Sequence, residues 1–184
     1  MEQIDPQPGL RRGKHGQAMV EFALIVPFVF FLIFGVMDGS LLVFSVVSTQ
    51  FAAAQGDKAA AQAGNAKSPE DADQLALDAV RRVVGPTTII KVIKVEIFEL
   101  NRDVVTGALS PNLNHLNSYN LDGTFWNGTI QHWDPVTRSV TNGNSSYIGL
   151  KLYYSYTLHA TFLPNALPSV FSATSDGRIE PQTY

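Results

Sequence analysis

From Gln17 to Met37 the chain carries a single ionisable side chain, Glu21, in a run dominated by Ala, Leu, Ile, Val, Phe and Met. At 1.5 Å rise per residue, about 20 helical residues cross the roughly 30 Å hydrocarbon core of a bilayer. A helix on a soluble domain keeps a polar face, and this run has none for about five turns. It therefore reads as a transmembrane helix over residues 17–40, and the rest of the chain has to be arranged around that anchor.

The flanks orient it. Arg11, Arg12 and Lys14, with His15, crowd the N-terminal side, whereas Asp38 is the first charge beyond. The positive-inside rule keeps residues 1–16 in the cytoplasm and places everything after about residue 40 outside the cytoplasmic membrane, in the periplasm or at the cell surface. A cleavable secretory signal is the competing reading, but its apolar region is roughly 7–15 residues long and ends at a small-residue cleavage site. The nearest such site here, Ala52 to Ala54, lies far past the end of the run. The anchor reading is the better one.

Glu21 is the anomaly, because a carboxylate inside a membrane helix is costly and marks function by default. In the plain reading it sits one turn from the helix start, near headgroups, unpaired amides and the positive end of the helix dipole. A sharper reading starts from what precedes it: basic residues, then Gly16, then Glu21 as the fifth residue beyond that glycine. The spacing resembles the processing site of type IV pilin-like proteins, which a prepilin peptidase cuts after the glycine. The resemblance makes Gly16 and Gln17 the processing site and Gln17 the new N-terminus. It makes Glu21 an assembly carboxylate that neutralises the amine of a neighbouring subunit, removing two buried charges together.

The stretch Gly16-Gln17-Ala18-Met19-Val20-Glu21-Phe22-Ala23-Leu24, followed by Pro27, is more specifically similar to the opening of the TadE-like family of tight-adherence pilus assembly proteins. The likeness continues in the Ala- and Gln-rich stretch from Thr49 to Ala63 and closes on Arg178-Ile179-Glu180, like the R-x-E end of many members. Phe22 stands where the small major pilins of the same system usually have Tyr. The resemblance implies a minor pilin or pseudopilin of a tight-adherence pilus or related secretion system. Its partners would be membrane lipid, the prepilin peptidase, other pilin-like subunits and the assembly platform.

Pro27 removes one helical amide and crowds the carbonyl of Ala23, which a membrane helix tolerates when neighbouring groups take the freed oxygen. Gly35 and Gly39 form a G-x-x-x-G pair suited to close helix packing. Beyond them, Leu41 to Ala63 contains no proline, and Leu42, Val46, Thr49 and Ala53 recur at helical spacing, so the helix continues as a stem. Gly64-Asn65 offers a stop. Ser68 as N-cap, Pro69 and the acids that follow predict a second helix to about Val84, with Arg81-Arg82 at its negative end. Stem and second helix occupy residues 41–85.

Residues 86–184 then change to strand grammar. Ile93, Val95 and Ile97 alternate with Lys94 and Glu96, and Tyr147 to Phe162 alternates over its whole length. A run so long predicts a bend or bulge. Val170 to Ile179 is a third candidate strand. The expected class is α+β, with a small antiparallel sheet covered by helix on one face. Residues 101–146, rich in Asn, Gly, Ser and Thr, read as a long loop. Its Phe125, Trp126 and Trp133 are either caps on the core or an exposed contact for a partner or a glycan. An unprocessed anchored binding domain using that loop is the alternative function.

The remaining composition narrows the classes. The 184 residues, less the membrane helix, leave roughly 130 for one small domain. A net charge of −3 without a basic cluster past the leader gives no bias toward nucleic acid. With no cysteine there are no disulfides and no thiolate metal sites. His15, His115, His132 and His159 show no ligand spacing, and no nucleophile elbow, phosphate loop or dinucleotide fingerprint is present. No cofactor, metal or catalytic residue is expected, and the chain does not read as an enzyme.

Overall fold

The computed structural model describes residues 14–66, 71–129, 132–156 and 170–181. They form an α+β structure of a very long helix, a second helix and a four-stranded antiparallel sheet. The chain divides into two compact units, Met1–Gly39 and Ser40–Tyr184, and helix α1, Lys14–Ala63, runs through the boundary.

In the first unit most of the large apolar side chains of α1 are exposed. Phe22, Leu24, Phe28 and Val36 are all exposed, and the most apolar window of the helix buries none of its residues. The helix is long and apolar enough to cross a membrane. Pro27 lies inside it.

In the second unit the same helix becomes two-faced. Ser45, Thr49, Ala52, Ala53, Asp57, Ala60 and Ala61 are buried at intervals of three and four residues, whereas Val43, Phe44, Val47 and Phe51 are exposed. The buried stripe consists of small side chains, so neighbouring elements come close to the backbone. A Cβ on Gly56 would stand 2.6 Å from Val80 Cγ2 and 2.8 Å from Leu150 Cδ1. Helix α2, Ala72–Val84, buries Ala76, Leu77, Val80 and Val84, four positions of one helical face. Its N-cap is Asp71, whose carboxylate accepts the N–H of Asp73 at 2.8 Å. The helix thus begins later than the Ser68-Pro69 signal predicts, and those two residues lie outside the described ones.

The strands are β1, Ile90–Arg102; β2, Leu109–Tyr119; β3, Tyr147–Tyr156; and β4, Phe171–Arg178. They lie in the order β2-β1-β3-β4. Ile148, Leu150, Leu152 and Tyr154 share the core with Val95, Ile97 and Ala173, as the alternation of β3 requires; residues 157–162 of that run lie outside the described ones. One expectation is corrected in β1. The register against β3 shifts between Val92 and Lys94. This bulge makes Ile93 the extra residue and hands its core place to Val92.

The reading of residues 101–146 as one loop is also corrected, because they contain β2. Its sequence, LSPNLNHLNSY, hides the strand for a physical reason. β2 is the outermost strand beside β1, and its first seven residues are exposed or half-buried, so they need not alternate. Pro111 and the asparagines are tolerated on an edge.

Candidate functional site

The residues singled out at the N-terminus lie at the start of α1, where no other element reaches them among the described residues. Gly16 and Gln17 are exposed, and nothing lies within 4 Å of a Cβ placed on Gly16. The Gly16–Gln17 bond lies in the first turn of the helix, whose leading N–H groups have no intrahelical acceptor. One turn on, Glu21 accepts a hydrogen bond from Gln17 Nε2 at 2.9 Å. The carboxylate and the residue that cleavage would expose are therefore within reach of each other on one helix face. Gly35 and Gly39 likewise have open space where a Cβ would be, so that face of the helix is bare.

The family sequence model for TadE-like protein matches residues 16–56. Over this segment the chain is similar to the TadE-like family. The match opens on Gly16, runs through Glu21 and Pro27, and ends on Gly56, where α2 and β3 approach α1. No curated protein and no solved structure matches the chain.

Arg178-Ile179-Glu180 closes the second unit as a clasp on the end of α1. Arg178 Nε donates to Ser145 Oγ at 2.8 Å. Ile179 is fully buried and donates its N–H to Ser146 O at 3.0 Å. Glu180 N–H reaches Ala61 O, one of the last carbonyls of α1, also at 3.0 Å.

The three aromatics proposed as a contact loop separate. Trp133 is 2% exposed and belongs to the core, with the Arg138 guanidinium 4.2 Å from its ring centre and His115 stacked at 6.3 Å. It is a core cap, so the contact reading is corrected at that residue. Phe125 is 37% exposed and stacks on Tyr119. Trp126 is half-buried, with Lys94 Nζ 4.8 Å from its ring centre. The two indoles have different jobs.

Trp133 stands over a buried polar network that the sequence does not announce. Asp73 and Arg138 pair at 2.5 Å with both side chains fully buried. Asp73 also accepts from Asn117 Nδ2 at 2.9 Å and from the Tyr119 hydroxyl at 2.8 Å. Burial, then the Asp73 carboxylate, push the Tyr119 phenol pKa far above its usual value. Asn117 completes the tie by accepting the N–H groups of His132 and Trp133 and donating to Trp133 O. The network joins α2, β2 and the segment before β3. Such pairs fix partners more than they add stability.

A second buried carboxylate, Asp57 on α1, faces β4. Its Oδ2 accepts from Ser175 Oγ at 3.2 Å, while Oδ1 is buried without a partner. Burial raises its pKa from 3.8 to about 6, against the lowering effect of Ser175 and with a further push from Asp176. Among the described residues no group of three His, Cys, Asp or Glu side chains could hold a metal. His115 Nδ1 instead lies 2.6 Å from Glu99 Oε2, and His159 lies outside the described residues.

Proposed function

We propose that the chain is a minor pilin or pseudopilin that is cut after Gly16 and then takes part in assembling a tight-adherence pilus or a related secretion system. The observation that carries this reading is the TadE-like match over residues 16–56, which begins on the glycine itself and includes Glu21. An open Gly16 with a frayable first helical turn supports access by a prepilin peptidase. The anchor lies in the cytoplasmic membrane with its N-terminus inside, following the basic flank. The second unit is extracytoplasmic and has no catalysis of its own. Glu21 serves assembly by neutralising the amine of a neighbouring subunit, and other pilin-like subunits and platform proteins are the partners. The rival reading of an unprocessed anchored domain that binds through the tryptophan loop is weakened by the burial of Trp133.

Intact-mass measurement on membrane-extracted protein tests the reading. The processed wild type should begin at Gln17, and Gly16→Leu should remain full length because a bulky side chain blocks close approach to the scissile bond. Cleavage of that variant at the same bond, or an uncut wild type in cells that process other prepilins, sinks the assignment. Glu21→Ala should still be cut and inserted but should enter assemblies poorly; wild-type pilus levels would reduce Glu21 to a helix-start carboxylate.

A further inference from the structure

Three strand ends converge at one edge of the second unit. The antiparallel register sets Tyr147, which opens β3, opposite Leu100 of β1 and Arg178 of β4. Arg102 and Arg178 thereby arrive at the same ring, their guanidinium carbons 5.9 Å and 5.7 Å from the centre of Tyr147. Arg102 Nη1 donates to the Tyr147 hydroxyl at 3.1 Å, and Arg178 Nε to Ser145 Oγ at 2.8 Å. Each guanidinium has five N–H donors, so most remain uncommitted. Both arginines are exposed, and among the described residues neither has a carboxylate within ion-pair distance. The two positive charges flank Tyr147 from the strands on either side of β3, and the nearest carboxylate in sequence, Asp103, is turned to the hairpin tip where it accepts backbone N–H groups.

Beside Arg102 stands the tip of the β1–β2 hairpin. Val104 is 98% and Val105 89% exposed. The tip is held by Asp103, whose Oδ1 accepts the N–H groups of Val105 at 2.8 Å and Thr106 at 2.7 Å. Arg102, Val104, Val105, Thr106 and Gly107 line an open recess of ≈ 500 Å³. Turn tips favour Gly, Asn, Asp and Ser, so two bare valines there need a reason beyond the turn.

We infer that this corner docks an acidic peptide segment of a protein partner, with a carboxylate on Arg102 and an adjacent apolar side chain on Val104 and Val105. Guanidinium forks match carboxylates in geometry as well as charge. Arginine and tyrosine beside a small apolar patch is the composition of a protein interface centre. The valines give a polysaccharide nothing to bind. The Tyr147 ring already carries two cations and offers no open platform for a nucleic-acid base.

The test uses the full chain in zwitterionic detergent at about 0.15 M salt, where exposed charges act over roughly 8 Å. A fluorescent octapeptide of alternating Asp and Val is titrated by anisotropy beside an Asn–Val octapeptide, an all-Asp octapeptide, oligogalacturonate and a single-stranded oligonucleotide. The Asp–Val peptide should bind at least about tenfold more tightly than its Asn–Val counterpart, the size of charge-assisted contacts. Arg102→Gln should weaken it about as much and Arg102→Lys less. Val104→Ser with Val105→Ser should lower the Asp–Val peptide to the level of all-Asp and leave all-Asp unchanged. Arg102 is exposed and outside the C-terminal clasp, so an unchanged melting curve will separate docking from folding; if Arg102→Gln does melt early, the valine pair carries the test. Absent Asp–Val binding, indifference to both variants, or tighter binding of the oligogalacturonate or oligonucleotide overturns the inference.

Discussion

Asp57→Asn should make the second unit more stable at neutral pH and remove much of its pH dependence. The carboxylate sits on α1 against β4, with one oxygen unpartnered and a folded-state pKa of about 6 against 3.8 when unperturbed. Because the folded value is the higher one, the folded state binds the proton more tightly. The group's favourable contribution is therefore complete below about pH 3.8 and is lost as pH rises through about 6. The difference of about two pH units corresponds to about 3 kcal/mol. An asparagine keeps the acceptor for Ser175 but buries an N–H group in place of Oδ1, which returns about 1–2 kcal/mol. The net gain at pH 7.5 is then about 1–2 kcal/mol, or roughly 2–8 °C in Tm for a unit of this size. At pH 4 the variant should be no more stable than the wild type. The assay is thermal unfolding followed by near-ultraviolet circular dichroism on the full chain in detergent, from pH 4 to pH 7.5. The quantity of interest is the wild-type minus variant difference, since other groups titrate in both proteins. A difference that stays flat across that range would refute the reasoning, and so would a variant less stable than the wild type at pH 7.5.

Two further predictions concern the core. Leu152→Ala should cost about 2–5 kcal/mol in the same unfolding assay, because Leu152 is fully buried opposite Val95; Ile93→Ala, at the bulge, should cost clearly less, and equal losses would argue against the register. Trp133→Ala should cost about 3–5 kcal/mol by opening a cavity over the Asp73–Arg138 pair, whereas Trp126→Ala should cost less than about half as much, and the reverse order would return Trp133 to the surface.

Much of the architecture is legible in the residues because it depends on short-range rules. The Gln17–Met37 run announces its helix by length and uniformity, and β3 announces itself by alternation, as Ile148, Leu150, Leu152 and Tyr154 reach the core together. β2 is invisible because an edge strand that buries little has no need of a pattern. The start of α2 is misread because Ser68-Pro69 and Asp71 are both good start signals, and the sequence does not say which one the chain uses.

The sequence by itself determined the membrane-competent helix, the TadE-like segment with Gly16 and Glu21 in register, and the α+β order that follows. Each is a property of neighbours along the chain, where spacing and side-chain chemistry act within a turn or two. Only the tertiary structure decided that Trp133 is core while Trp126 is not, that Asp57 and Asp73 are buried, and that Arg102 and Arg178 share one tyrosine. Those outcomes depend on strand register and on contacts between residues such as Asp73 and Arg138, 65 positions apart. Burial and charge pairing are fixed by what packs opposite a residue, and no local pattern carries that information.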